Sequence, residues 1–251
     1  MKTTKSILKG YWNQISKGYS SRIGYNLTDI QRKLWLDILS EIVGENKKLK
    51  ILDVGTGPGF LAFLFCELGN ECTGIDFSEK MIEYALKNSI NNGFKCNFQC
   101  ADAENLPFED ESFDVVANRH LLWTLMHPGK AVREWVRVLK PGGKLIIMDG
   151  EWEEDNLDTF RMLKKICGKH IISLTKRKFS SNSIREFKEV KKSLPFRGVN
   201  AGKIAALMEA AGIDHITVPN IDKLIYEDVS NRTLGYRLIY NDKRYIVVGE
   251  K

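Results

Sequence analysis

The sequence predicts an α/β protein built on an open, largely parallel sheet with helices on both faces. Three observations carry that expectation. Short apolar runs alternate with helical periodicity between residues 50 and 150, the rhythm of strands whose crossover helices cover the sheet. The first run ends in a glycine-rich turn, GTGPG at residues 55–59. Acids lie at or near the ends of successive strands, Asp53, Asp76 and Asp102, where open parallel sheets bind their ligands.

The elements follow in order. TDIQRKLWLDILSEIV (28–43) sets Ile30, Leu34, Leu36, Ile38, Leu39 and Ile42 at largely helical spacing, with Thr28 as cap. KLKILDV is a short apolar strand, and Pro58 through Leu68 reads as a helix. ECTGIDF is a strand, and SEKMIEYALKNSINNG is a helix between a Ser78 cap and a Gly93 stop. KCNFQCA, SFDVVANRH and GGKLIIMDG read as the third, fourth and fifth strands, with HPGKAVREWVRVLK a helix before the fifth. After Asp149 the rhythm breaks, and residues 151–198 read as an inserted, mostly helical cap. NAGKIAALMEAAG restores a helix, IDHITVP is a strand, and LGYRLIYNDKRYIVVGEK reads as a hairpin turning on Asn241-Asp242.

Composition bounds the class. A 251-residue chain with 43% hydrophobic and 28% charged residues has the makeup of an ordinary soluble globular protein, long enough for one well-cored domain with an insertion or at most two small ones. No apolar run approaches the roughly 20 residues of a membrane span, and the N-terminus lacks the apolar stretch of a signal peptide, so a cytoplasmic protein is expected. The five cysteines include no CxxC pair and are expected to be reduced and mostly buried. The net charge of +6 is uneven: residues 161–192 hold eleven Lys or Arg against Glu186 and Glu189, while residues 151–160 hold five acids and no base. The basic segment reads either as a solvated helical surface or as a lid attracting an anionic acceptor or nucleic acid.

The glycine turn narrows the ligand. A dinucleotide fold wants GxGxxG, but counted from Gly55 the last position is Phe60. Pro58 removes one backbone N–H from the helix start where a phosphate would sit, and no lysine follows as a P-loop requires. Asp76 can accept both hydroxyls of a ribose, or simply open the next helix. Phe77 can lie on an adenine face or pack in the core. Asp102 can accept from an adenine amino group, with the Ala103 N–H as complement, and Asp53 can reach the amino end of a ligand. An adenosine with a zwitterionic tail and no phosphate is S-adenosylmethionine.

LDVGTGPG, TGIDFSEKMIEYA, ADAENLPFEDESFDVV and VLKPGGKLIIMD resemble, in order and spacing, the motifs of class I S-adenosylmethionine-dependent methyltransferases, in the subgroup similar to the ubiquinone/menaquinone biosynthesis enzymes. The resemblance covers roughly residues 48–150. It implies a Rossmann-like seven-stranded sheet ordered 3-2-1-4-5-7-6 with strand 7 antiparallel, IDHITVP and RYIVVGEK being strands 6 and 7. It also implies the organisation of the chain: an N-terminal helical lid (1–45), a cofactor-binding core (46–150), an acceptor cap (151–198) and a C-terminal part of the core sheet (199–251). The cofactor contacts it implies are Asp53, Gly55, Thr56, Gly57, Gly59, Asp76, Phe77, Met81, Asp102, Ala103 and Asn118, with S-adenosylhomocysteine as product. Tyr11, Trp12 and Tyr19 of YWNQISKGYSS resemble the lid, and could close over a sulfonium cation or pack on the sheet edge.

Chemistry follows from that cofactor: an in-line displacement that aligns a nucleophile with an activated methyl and excludes water. The stretch NRHLLWTLMHP (118–128) leaves the fourth strand at the edge expected to face the methyl. His120 is a base or an acceptor-orienting group, unless it is bonded to backbone. Arg119 pairs with an acceptor carboxylate, or with Asp114 or Glu104. Trp123 reads as cap packing. Asp149 ends the fifth strand at the same edge. Metal-dependent catechol-type enzymes carry two acids and an Asn there, and only Asp149 and Asn118 are present, so no metal is expected. Asn118 is not followed by the PPY of DNA amino-methylating enzymes. The acceptor is therefore expected to be a small molecule, with RNA, bound through the basic segment, as the alternative. That segment has only Phe179 and Phe187 for base stacking.

Overall fold

The structure, a computed structural model, describes residues 3–23, 25, 27–44, 48–150, 162–164, 166–167, 170–171, 182–196, 199–239 and 243–251. Its strands are β1 (Lys50–Val54), β2 (Glu71–Asp76), β3 (Asn97–Cys100), β4 (Phe113–Arg119), β5 (Leu139–Gly150), β6 (Asp214–Thr217) and β7 (Arg244–Glu250). They form one seven-stranded sheet, β3-β2-β1-β4-β5-β7-β6. β7 runs antiparallel to both of its neighbours, and the other pairings are parallel. This is the expected order. The antiparallel β7 brings its N-terminal residues to the edge where β4 and β5 end, with Asp149 opposite Tyr245 and Gly150 opposite Arg244.

The helices are α1 (Thr4–Ile23), α2 (Asp29–Val43), α3 (Phe60–Glu67), α4 (Glu79–Asn92), α5 (Pro128–Val138), α6 (Asn182–Ser193), α7 (Ala201–Glu209), α8 (Asp222–Ser230) and α9 (Leu234–Ile239). Their local chemistry explains their bounds. Thr28 and Gln31 form a reciprocal capping box at the start of α2. Ser78 caps α4, and Gly93 ends it in the left-handed region. Pro128 occupies the first turn of α5, where a missing N–H costs nothing.

Two apolar layers sandwich the sheet. One packs Trp135 and Val132 of α5 and Ile204 and Met208 of α7 against Leu52, Val116, Leu145 and Val247. The other packs Trp35 and Leu39 of α2, the wholly apolar face of α3, and Leu224 of α8 against Ile51, Val115, Ile146 and Ile246. Ile30, expected on the buried face of α2, is exposed, and Trp35 takes the inner position.

Three expectations need correction or bounding. The C-terminal hairpin is not formed: Leu234–Ile239 is helical, and only Arg244–Glu250 is strand. Its proposed turn at Asn241-Asp242 lies outside the described residues. The cysteines are not all buried: Cys72 is, Cys66 of α3 lies against Cys96 beside β3, and Cys100 and Cys167 are exposed. α3 and the β3 edge are adjacent in space, which the sequence separation of 30 hides. The acidic run 151–160 lies outside the described residues. Of the inserted cap, α6 is the longest described piece, and it packs its Phe187, with Leu194, against Leu8 of α1. Among the described residues no helix is long and apolar enough to cross a membrane.

Candidate functional site

A cleft opens where β1, β2, β3 and β4 end, roofed by α1. The turn after β1 builds its floor. Gly55 adopts φ 72°, and a Cβ there would come within 2.8 Å of the Leu121 side chain, so both the backbone conformation and the space require glycine. Gly57, φ 55°, faces Tyr19 of α1 across the cleft, 3.7 Å from where its Cβ would be. Gly59 caps α3 and stays outside the lining.

Asp76 stands in the cleft wall. Its Oδ2 accepts the Gly57 N–H (2.9 Å) and its Oδ1 the Ser78 N–H (2.8 Å). Burial pushes its carboxyl up to about 6, against those backbone donors. Phe77 and Met81 line the same wall. On the β3 side stand Asp102 and Ala103. The Ala103 carbonyl is held by the indole N–H of the fully buried Trp135 at 3.0 Å.

Asp53 lies beneath the cleft rather than in it. Its Oδ2 accepts the Thr56 hydroxyl (2.6 Å) and the Ala62 N–H (3.1 Å). Thr56 is likewise buried and engaged. The pair clamps the glycine turn onto the start of α3. Burial pushes the Asp53 carboxyl up to about 6, opposed by Thr56. Asn118, in register with Val54, is wholly buried. Both polar atoms of its amide lack a hydrogen-bond partner among the described residues.

The roof differs from expectation in one residue. Trp12 and Tyr19 line the cleft and meet edge to face at 5.6 Å. Tyr11 does not; its ring stacks on Phe187 of α6 at 3.7 Å. Trp123 packs edge-on to Trp12 and Phe187, as expected of a cap contact. The roof also supplies a residue the sequence did not single out. Lys5 lies 2.5 Å from Asp102 and 3.1 Å from the buried Glu104. Glu104 also accepts the Met126 and His127 N–H groups, each at 2.9 Å.

β4 ends in Arg119 and His120, both in the lining. Neither ion pair expected for Arg119 forms: Asp114 pairs with Lys140 and Glu104 with Lys5. Its guanidinium instead lies over Phe60 at 3.9 Å and over Trp35 at 5.9 Å, and burial holds its pKa below the ordinary value. His120 sits in the left-handed region, φ 60°, a strained conformation for a residue with a side chain. Its N–H donates to the Met148 carbonyl at 2.8 Å. Its Nδ1 is 3.8 Å from Asp149 Oδ1. Burial lowers the His120 pKa, the Asp149 carboxylate opposing.

A second, smaller chamber adjoins the first at these two residues. It is lined by Trp35, Met148, Asp149, Ile221, Leu224, Ile225, Arg244, Tyr245 and Ile246 together with Arg119 and His120. Arg244 and Tyr245 carried no signal in the sequence. Only the strand register places them beside Asp149.

Comparison with known proteins fits this geometry. The methyltransferase domain family matches residues 52–147. Over 113 residues the chain is 38% identical to the uncharacterized methyltransferase YcgJ of Bacillus subtilis, 44% of this chain and 45% of that protein, so the match spans under half of the relative. Over 196 residues it is 29% identical to the ubiquinone/menaquinone biosynthesis C-methyltransferase UbiE of Pseudomonas aeruginosa, 75% of this chain and 74% of that protein. Haemonchus contortus phosphoethanolamine N-methyltransferase 2, solved with phosphomonomethylethanolamine and S-adenosylhomocysteine, shares the fold. Its TM-score is 0.67 at 19% identity, over 100% of this chain and 60% of that one. Residues 52–147 thus match the methyltransferase domain family, and the chain resembles class I S-adenosylmethionine-dependent methyltransferases, the ubiquinone/menaquinone biosynthesis enzymes among them.

Proposed function

We propose that the protein moves a methyl group from S-adenosylmethionine to a small-molecule acceptor held at the β4–β5–β7 edge. The observation that carries this reading is the meeting of two chambers at Arg119 and His120. One is walled by the glycine turn and strand-end acids, the other by apolar side chains and arginine. The first suits the cofactor: Asp76 has carboxylate lone pairs for ribose hydroxyls, and Asp102 and the Ala103 N–H supply an acceptor and a donor for an adenine edge. Asn118, whose buried amide has unused donors and acceptors, stands outside the lining. Trp12 and Tyr19 present aromatic faces suited to a cation. Asp53 acts through Thr56 and Ala62, fixing the turn.

Bound here, the cofactor would supply a methyl already activated on a sulfonium for in-line transfer to the acceptor. The chain's part is alignment and exclusion of water. His120 takes a proton from the acceptor when the nucleophile carries one. Its lowered pKa keeps it in the base form at neutral pH. Asp149 orients the ring and steadies its charged form.

Incubation with cell extract and methyl-labelled cofactor, followed by mass spectrometry, tests the reading. The label is expected in a low-molecular-weight product. Label confined to RNA or protein would overturn it.

A further inference from the structure

The second chamber has a chemistry of its own. Arg119 and Arg244 lie on one face of the sheet: Arg119 is in register with Met148, Met148 with Ile246, and Arg244 lies two residues before Ile246. Arg244 gives Nη1 to Asp228 Oδ2 at 2.6 Å. Asp228 is itself held by Gln31 at 3.1 Å. The Nε and Nη2 atoms of Arg244 are buried and have no hydrogen-bond partner among the described residues. Arg119 forms no ion pair among the described residues, and its planar group lies on aromatic rings. Buried donors left unpaired cost free energy, and what these atoms lack is an acceptor.

The space is small. The chamber's ≈ 20 Å³ holds about one or two water-sized groups, the size of two carboxylate oxygens. Its remaining wall is apolar: Trp35, Ile221, Leu224, Ile225. Asp149 also lines the chamber. Its Oδ1 accepts the Gly150 N–H at 2.9 Å and lies 3.8 Å from His120 Nδ1. Its Oδ2 is buried as well, so a bound acid must share the two guanidinium groups with this carboxylate.

We propose that this chamber is an anion subsite, in which Arg244 and Arg119 grip the carboxylate of a small, otherwise apolar acceptor acid. A guanidinium presents parallel N–H groups that match a carboxylate, and two guanidinium groups at one apolar pocket select a charged head on an apolar body. Anchored there, the carboxylate sits where the chamber meets the cofactor cleft, at Arg119 and His120. The inference rests on the methyltransferase reading above and adds the acceptor's class.

Calorimetry on the protein saturated with S-adenosylhomocysteine tests it. Benzoate and hexanoate are titrated in parallel with benzamide and hexanamide, neutral molecules of the same shape. The acids are expected to bind at least tenfold more tightly than their amides. Arg244→Gln should weaken the acids by at least tenfold and leave S-adenosylhomocysteine affinity unchanged, because Arg244 does not line the cofactor cleft. Should the single variant fail to fold with Asp228 unpaired, Arg244→Gln with Asp228→Asn removes both charges and keeps the hydrogen bond. The same loss of acid binding is expected from it. Acids that do not bind, amides that bind equally, or acid affinity unchanged in both variants would overturn the subsite. Failure of the wild-type protein to bind S-adenosylhomocysteine would instead strike the methyltransferase reading.

Discussion

Asp76 shows how one side chain can tie cofactor affinity to pH. Both of its oxygens already accept backbone N–H groups, yet burial raises its carboxyl to about 6. Ribose hydroxyls donate to the ionised form. Below pH 6 the site must lose a proton before it can accept them, so S-adenosylhomocysteine affinity should fall by up to about tenfold per pH unit. Calorimetry between pH 5 and pH 7.5 reads this directly, and Asp76→Asn should bind weakly at every pH. His120 gives the complementary case. Its pKa is lowered by burial, so turnover should rise with pH through a midpoint below the ordinary value of about 6.5 and then stay level. His120→Ala should lower turnover by about 100-fold or more. Unchanged kinetics with a lower melting temperature would assign the strained φ of His120 to structure alone.

At the scale of elements, α1 is a roof held by polar ties. Lys5 reaches Asp102 and Glu104, Lys9 pairs with Glu79, and Asn13 accepts from the Ser78 hydroxyl at 2.6 Å. Every tie lands on a segment that follows β2 or β3. Part-exposed ion pairs are each worth about 0.2–1 kcal/mol. Lys5→Ala with Lys9→Ala should therefore speed amide exchange over residues 4–23 several-fold, with S-adenosylhomocysteine slowing it again. Exchange indifferent to both changes would mean that the aromatic contacts of Trp12 and Tyr19 hold the roof alone. The strands and caps beneath were legible because their signals are local: an apolar run, a Ser or Thr cap, a glycine stop. The segment 234–240 misled for the same reason. Its Tyr and Ile residues favour strand, yet Leu234–Ile239 is helical. Asp53, Asp76 and Asp102 were visible as acids at strand ends. Lys5, Arg244 and Asp228 were not, because each gains its role from a partner that only the folded register supplies.

The whole molecule carries its site at an energetic cost that pH can expose. The sheet gathers residues from position 5 to position 246 to one edge, and several of them are ionisable groups taken out of water. Asp53, beneath the cleft, is 1% exposed. Its carboxyl is raised from an ordinary 3.8 to about 6. A raised carboxyl favours the folded state below its ordinary value, and that contribution is lost as pH rises to about 6. Asp76 acts in the same direction. His120, lowered, acts in the opposite one: its contribution is full above about 6.5 and fades as pH falls through its folded value. For Asp53 the shift corresponds to about 3 kcal/mol, at about 1.4 kcal/mol per unit. Asp53→Asn keeps an oxygen able to accept from Thr56 and Ala62 and removes the charge. Its stability should match the parent protein near pH 4 and exceed it by up to about 3 kcal/mol at pH 7.5, measured by urea unfolding at both pH values without cofactor. A variant less stable than the parent at pH 7.5 would show that the charge itself, through the donors around it, holds the glycine turn in place.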